Sequence, residues 1–146
     1  MLPFSITLKP GESPYRQVVY AATRAIVSGD LAMGAAFPSV RELSQALKIN
    51  PNTAQKIVAE LVRAGLLEVR PGIGTVVAAV PRGNAADRRA LFSSEVEELI
   101  VEAKRLGASR KDVLDAVDAR WDALFGDDHE SDRRQTGGRG GRSGGD

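Results

Sequence analysis

The most regular pattern of hydrophobic and polar positions predicts two short amphipathic helices in the first half of the chain. Ser39, with Glu42 three residues later, predicts a capping box at the start of one helix. Asn50 followed by Pro51 predicts the start of the next, because Asn is a favoured N-cap and Pro is tolerated at the first helical position. Only residues 47–49 separate the two helices, so they must meet at a steep angle. This layout is typical of a helix-turn-helix.

The second of these helices separates its residues by face. Apolar residues recur at intervals of three and four positions and should line a core: Ala54, Ile57, Val58, Leu61 and Val62. Polar residues crowd the first two turns of the other face: Asn52, Thr53, Gln55 and Lys56. That end of a recognition helix enters the major groove, where amides read adenine edges and Thr contacts a thymine methyl group or a phosphate. These residues and the cap Asn50 are therefore candidate contacts to double-stranded DNA; an ordinary solvated face is the alternative.

A predicted β-hairpin follows this helix directly. Gly65 suits a left-handed helix end, and strands are predicted over residues 66–69 and 75–78 around a tight turn. A hairpin in this position is a wing. Its tip supplies four further candidate DNA contacts: Arg70, Gly72, Gly74 and Thr75. Glycine lets the backbone approach a phosphate closely, while the guanidinium of the arginine reaches into a groove.

The stretch from Pro14 to Val77 resembles the winged-helix domain of the GntR family of bacterial transcription regulators. The runs that carry the resemblance are residues 14–18, 26–31, 34–43 and 72–76. The run at 49–53, Ile-Asn-Pro-Asn-Thr, and the short remainder after the wing are similar to the YtrA-like subfamily. The resemblance implies that Arg41, in the first turn of the first of the two helices, contacts a guanine or a nearby phosphate.

The chain departs from many GntR relatives at the start of the recognition helix. Those relatives carry a Ser/Thr-Arg pair there and a further basic residue one turn on, whereas this chain has Asn50, Pro51 and Gln55. The YtrA-like relatives share the Asn-Pro pair. Base contacts must therefore come from the amide, hydroxyl and lysine side chains of this helix. The operator sequence of this protein cannot be inferred from relatives that contact DNA bases through arginine.

Two flanking regions are predicted before the helix-turn-helix. Residues 4–8 alternate apolar and polar positions, which predicts a short strand. Ser13 and Pro14 open a helix that should end at Gly29. Leu31 and Phe37 should anchor the loop that leads to the helix-turn-helix.

After a linker at residues 81–84, two more helices are predicted. The first, over 85–107, has a heptad-like apolar seam formed by Phe92, Val96, Leu99, Ala103 and Leu106. The second begins at the cap Ser109, and its apolar face includes Val117, Trp121 and Leu124. Two short helices cannot bury both stripes on each other, so we expect these residues to form a homodimer interface. The alternative is that the pair folds back on its own winged domain.

The predicted architecture is therefore α+β, with three parts. Residues 1–80 form a winged helix-turn-helix, residues 81–128 a linker and a two-helix dimerisation segment, and residues 129–146 a disordered Gly/Arg-rich tail. The charge supports this division. Residues 13–82 carry eight basic against four acidic side chains, a balance of +4, whereas residues 83–128 carry seven against eleven, a balance of −4. A surface facing phosphates is expected on the positive part.

Composition argues against other classes of protein. His129 is the only histidine, there is no cysteine, and the Gly72–Thr75 run lacks the Lys-Ser/Thr end of a phosphate-binding loop. We therefore expect no enzyme activity, no metal, no cofactor, no membrane segment and a cytoplasmic location. A winged helix used only for protein contact is the main alternative to an operator-binding regulator. The YtrA resemblance suggests a repressor of a transporter operon, and whether a small-molecule effector exists stays open.

Overall fold

Three helices and a two-stranded sheet make up the first of two compact units, Met1–Arg82 and Gly83–Asp146. The structure is a computed structural model that describes residues 2–78 and 85–126. The elements of the first unit run in the order α1 (Pro14–Val27), α2 (Val40–Leu47), α3 (Pro51–Arg63), β1 (Leu67–Arg70) and β2 (Gly74–Val77). The predicted linker at 81–84 and the predicted tail at 129–146 lie outside the described residues.

The helix boundaries follow the local signals in the sequence. Ser13, Ser39 and Asn50 each accept a hydrogen bond from a backbone N–H in the first turn of α1, α2 and α3. At the end of α3, Gly65 has a φ of 77° and donates to the carbonyl of Val62. The next residue donates its N–H to the carbonyl of Leu61, which completes a Schellman motif. Gly29, at a φ of 86°, confirms the predicted end of α1, although there the second bond comes from Leu31, two residues after the glycine, whose N–H donates to the carbonyl of Ala25.

The hairpin has a simple antiparallel register, in which Leu67 pairs with Val77 and Arg70 with Gly74. A third segment, residues 34–37, lies along the free edge of β2. The N–H of Phe37 donates to the carbonyl of Thr75 at 2.9 Å, and the N–H of Val77 donates to the carbonyl at position 35 at the same distance. The loop before α2 therefore holds the wing beside the helix-turn-helix, which the local pattern did not predict.

The predicted strand at residues 4–8 is wrong. Burial alternates along this segment as the pattern required, but the backbone forms no ladder with another described segment. Phe4 instead stacks on Phe37 with ring centroids 5.8 Å apart. The amide of Gln17 holds the end of the segment, because it accepts from the N–H of Lys9 at 2.7 Å and donates to its carbonyl at 3.1 Å.

One hydrophobic core joins the elements of the first unit. α3 contributes Ala54, Ile57 and Leu61 to it, as predicted, and Val58 packs against it while partly exposed. Val62 is 36% exposed, so its predicted place in the core is wrong. The other buried members of this core come from the N-terminal segment, α1, α2, the loop before α2 and the hairpin: Phe4, Val18, Ala22, Ala25, Ile26, Leu31, Phe37, Leu43, Leu66, Leu67 and Val77.

The second unit is helical throughout its described part. A helix runs through α4 (Ala85–Ala90), a π-helical turn (Leu91–Glu95) and α5 (Val96–Arg105), and α6 spans Arg110–Phe125. The π-helical turn interrupts the uniform 3.6-residue period on which the predicted seam depended. Gly107, at a φ of 81°, ends α5 as predicted. Ser109 and Asp112 form the capping box of α6, and hydrogen bonds from the backbone and hydroxyl of Ser109 lower the pKa of the aspartate.

Candidate nucleic-acid interface

The turn of the helix-turn-helix is fixed by hydrogen bonds to the last turn of α2. Lys48 caps that helix in a left-handed conformation, with φ 53° and ψ 46°, and donates its N–H to the carbonyl of Ser44. The N–H of Ile49 donates to the same carbonyl at 3.2 Å, and the hydroxyl of Ser44 donates to the carbonyl of Ile49 at 2.9 Å. These bonds set the direction in which the chain enters α3. α3 packs against both α2 and β1.

The first turn of α3 depends on the side chain of Asn50. Its Oδ1 accepts from the N–H of Asn52 at 2.8 Å, which satisfies one of the free backbone donors at the helix start. The oxygen of this predicted DNA contact is thus already engaged, and its amide Nδ2 is the group left to donate. Along the rest of the polar face Asn52, Gln55 and Lys56 are exposed, whereas Thr53 is half-buried.

Arg41 lies in the first turn of α2, one residue after Val40 opens the helix. Its side chain is exposed. The cap beside it differs from the predicted capping box, in which the Glu42 side chain accepts from the Ser39 backbone. Here the hydroxyl of Ser39 accepts from the N–H of Glu42 and donates to its carboxylate, both at 3.1 Å. The acid next to Arg41 is therefore directed to the cap.

The wing tip is a tight turn in which the N–H of Ile73 donates to the carbonyl of Arg70 at 3.1 Å. Gly72 and Gly74 have φ values of 75° and 112°, a backbone region that glycine adopts without steric cost. Arg70 is paired with Glu68, two residues back on β1, at 2.6 Å. Both side chains are about half exposed. The predicted cation of the wing therefore carries an intramolecular counter-ion.

The wing also presents a residue that the sequence analysis did not select. Ile73 is 73% exposed, the largest exposure among the large apolar side chains of the described residues. Thr75, by contrast, is half-buried on β2, where its carbonyl accepts from Phe37. The exposure of Ile73 could not be predicted from the pattern of hydrophobic and polar residues, because such a pattern assigns an isoleucine to the core.

A second ion pair lies at the far end of α3. Glu60 accepts a hydrogen bond from Arg63 at 2.8 Å, and this bond lowers the pKa of the carboxyl group below its ordinary value. Arg63 therefore has an acidic counter-ion beside it, although its side chain is 71% exposed. Three other cations of the helix-turn-helix are exposed and enter no ion pair within the described residues: Arg41, Lys48 and Lys56.

The residues predicted for a dimer interface all lie on the second unit, which contains no buried residue in its described part. Phe92 is 64% exposed, Leu99 53% and Trp121 49%, and Leu106 and Val117 are exposed as well. Val96, Ala103 and Leu124 are only partly buried. Trp121 packs edge-on against Phe125 with ring centroids 5.2 Å apart, which shields one side of the indole. The apolar stripes of α5 and α6 are thus largely uncovered by the described residues of the second unit itself.

This geometry defines a winged helix-turn-helix of the kind found in transcription regulators. The family of bacterial regulatory proteins named gntR matches residues 14–77. The chain is 30% identical over 103 residues to the HTH-type transcriptional regulator YhcF of Bacillus subtilis, which covers 70% of this chain and 85% of that protein. The chain belongs to the GntR family of helix-turn-helix transcription regulators.

Two further comparisons extend this result. The chain is 29% identical over 94 residues to the HTH-type transcriptional repressor YtrA of Bacillus subtilis, covering 64% of this chain and 72% of that protein. A crystal structure of a transcriptional antiterminator from Listeria monocytogenes matches 86% of this chain and 94% of its own, at 26% identity and a TM-score of 0.72. The resemblance to YtrA is thereby confirmed, and the structural match extends beyond the winged helix. None of the helices in residues 2–78 and 85–126 has the length and hydropathy required to cross a membrane.

Proposed function

We propose that the protein binds a palindromic operator in double-stranded DNA as a homodimer and represses transcription from the promoter that contains it. The observation that supports this most strongly is the composition of the exposed face of α3. Its first two turns present Asn52, Gln55 and Lys56 to solvent, while Ala54 and Ile57 on the opposite face are fully buried. A polar end of this kind is suited to reading base edges in the major groove.

The proposed contacts divide by chemistry. The amides of Asn50, Asn52 and Gln55 offer both donors and acceptors for adenine, and Thr53 offers a hydroxyl or methyl contact at the groove wall. Arg41 is suited to a bidentate contact with guanine. Lys56 is suited to a guanine edge, and the wing residues Arg70, Gly72, Gly74 and Thr75 are assigned to the backbone, where a contact fixes position without reading sequence.

Dimerisation is proposed from the uncovered apolar surface of the second unit. Side chains such as Leu99 and Trp121 gain about 25 cal/mol for each Å² of apolar surface removed from water. A second copy of the chain supplies the same surface twice about a two-fold axis, which matches the symmetry of a palindrome. The acidic balance of residues 83–128 also favours contact between protein chains over contact with phosphates.

Repression is proposed for two reasons. A bound dimer is sufficient to block a promoter, whereas activation requires a further contact with the transcription machinery. In addition, the similar protein YtrA is named a transcriptional repressor. We assign no small-molecule effector to the protein.

The test is a titration of the purified full chain against DNA from upstream of its own gene and against a scrambled fragment, at two salt concentrations. A specific regulator should prefer the native fragment by about a hundredfold or more, with affinity falling as salt rises. The variant Arg41→Ala, which changes an exposed side chain, serves as the matched control and should lose preference while keeping its fold. Equal and weak binding to both fragments by the parent protein would contradict the proposal and favour a winged helix used for protein contact.

A further inference from the structure

Lys48 has the only positive φ of any non-glycine residue in the described parts of the chain. At φ 53° and ψ 46° it occupies the left-handed helical region, where the Cβ atom crowds the following carbonyl oxygen. Glycine adopts this conformation without that crowding. The eight described glycines with positive φ show that the chain uses glycine at its other such positions. The presence of a lysine instead of a glycine at position 48 therefore needs a physical explanation.

The turn itself demands the left-handed conformation. The carbonyl of Ser44 accepts from the N–H groups of both Lys48 and Ile49, and the hydroxyl of Ser44 donates to the carbonyl of Ile49. These bonds hold both residues against the last turn of α2. Residue 48 thus cannot leave the left-handed conformation without breaking the hydrogen bonds that set the direction of α3.

No side-chain contact of Lys48 within the described residues offsets the steric cost at this position. The Lys48 side chain is exposed, and it has neither a hydrogen bond nor an ion pair in the parts of the chain that the structure describes. The backbone bonds to Ser44 require the left-handed conformation but do not require a lysine, and an exposed side chain without an intramolecular partner at a strained position points to a function outside the chain. The residue precedes the cap Asn50 by two positions, and so lies where the positive end of the α3 dipole and its free N–H groups attract anions.

We infer that Lys48 binds a backbone phosphate of DNA and thereby positions the start of α3 in the major groove. This inference rests on the proposed operator binding, and it adds a residue and a type of contact to it. A lysine is suited to this position because its compact charge on a flexible stem needs no fixed fork geometry. A phosphate contact carries no sequence information, so it should strengthen binding to every DNA fragment alike.

Three substitutions test the inference. Lys48→Gly removes the charge and relieves the strain, so its thermal unfolding midpoint should rise while its affinity for native and scrambled DNA falls by a similar factor, roughly tenfold. The slope of log affinity against log salt should become shallower by about 0.9, the value for one phosphate contact. Lys48→Asn, which tolerates the left-handed region, should show the same losses. Lys48→Arg should restore affinity and slope without raising the midpoint.

The possible outcomes separate this inference from the proposed function. If Lys48→Gly keeps the affinity and salt slope of the parent while Arg41→Ala loses operator preference, the phosphate contact is refuted and operator binding stands. If the parent shows no preference for its own upstream DNA, operator binding is refuted. The salt slopes of the parent and of Lys48→Gly on scrambled DNA then still decide the phosphate contact. A lower affinity confined to the native fragment would also overturn it, because a backbone contact must act on both.

Discussion

Substitution of Asn50 separates the stability of α3 from its interaction with DNA. Its Oδ1 caps the helix through the N–H of Asn52 at 2.8 Å, while its Nδ2 is the group left for DNA. Asn50→Ala removes both the cap and the proposed DNA contact. Asn50→Asp keeps an acceptor for the cap but replaces the amide donor with a negative charge, next to the phosphates of any bound duplex.

The expected magnitudes follow from the helix terminus. Loss of an Asn cap costs about 1 kcal/mol, which corresponds to a fall of about 4–8 °C in the unfolding midpoint of a domain of 60–100 residues. Asn50→Asp should be as stable as the parent or gain about 0.3–1 kcal/mol, because a carboxylate interacts favourably with the positive end of the helix dipole. The order of stability is therefore Asp at or above Asn, and Ala below both.

The order of DNA affinity should differ. Asn should bind most tightly, Ala less tightly because it lacks the donor, and Asp least tightly because its charge repels phosphate. Thermal unfolding followed by circular dichroism measures the first order, and fluorescence anisotropy with labelled operator measures the second. An Asp variant that binds as tightly as the parent would show that position 50 does not approach DNA. An Ala variant with an unchanged midpoint would show that the cap contributes no stability.

Three further predictions concern the wing, α2 and the second unit. Arg41→Ala should reduce operator preference by about 1–3 kcal/mol, measured by competition against scrambled DNA, with an unchanged unfolding midpoint because the side chain is exposed. Glu68→Gln should strengthen DNA binding and steepen its salt dependence, because it frees Arg70 from its counter-ion; weaker or unchanged binding would contradict a role for that arginine. Leu99→Arg should shift the sedimentation coefficient from that of a dimer to that of a monomer. Glu97→Arg should leave it unchanged, because Glu97 lies two residues from Leu99 in α5 and therefore on the opposite helix face.

Most of the helix-turn-helix could be predicted because its signals are local. Ser39 and Asn50 cap helices by bonding to N–H groups two or three residues away, and Pro51 fixes its own φ whatever the rest of the chain does. Gly65 ends α3 through bonds to the preceding turn. Each of these signals acts within a few residues, so the sequence alone defines it and tertiary packing does not override it.

The parts that could not be predicted depend on distant partners or on strain. The alternating pattern at residues 4–8 correctly placed apolar side chains towards the core, but whether a segment pairs as a strand depends on which edge is available. That edge, along β2, is taken by residues 34–37, which read as a loop. The left-handed conformation of Lys48 could not be predicted for a different reason. A left-handed residue at the end of a helix is normally a glycine or an asparagine, so a lysine does not indicate one.

From the two units together we infer that the affinity of the protein for DNA depends on formation of the proposed homodimer. A single winged helix offers only a few cations to phosphates without competition from its own acids, since Glu68 pairs with Arg70 on the wing and Glu60 with Arg63 at the end of α3. In the proposed homodimer, joining two copies through the second unit makes the second half-site contact intramolecular and raises its effective concentration to the millimolar range for a short connection. It also doubles the number of phosphates neutralised, so the salt slope of the dimer should be about twice that of a dimerisation-deficient variant. The modest charge of each unit is then an advantage, because a single subunit would release non-specific DNA readily and only a paired site would retain the protein.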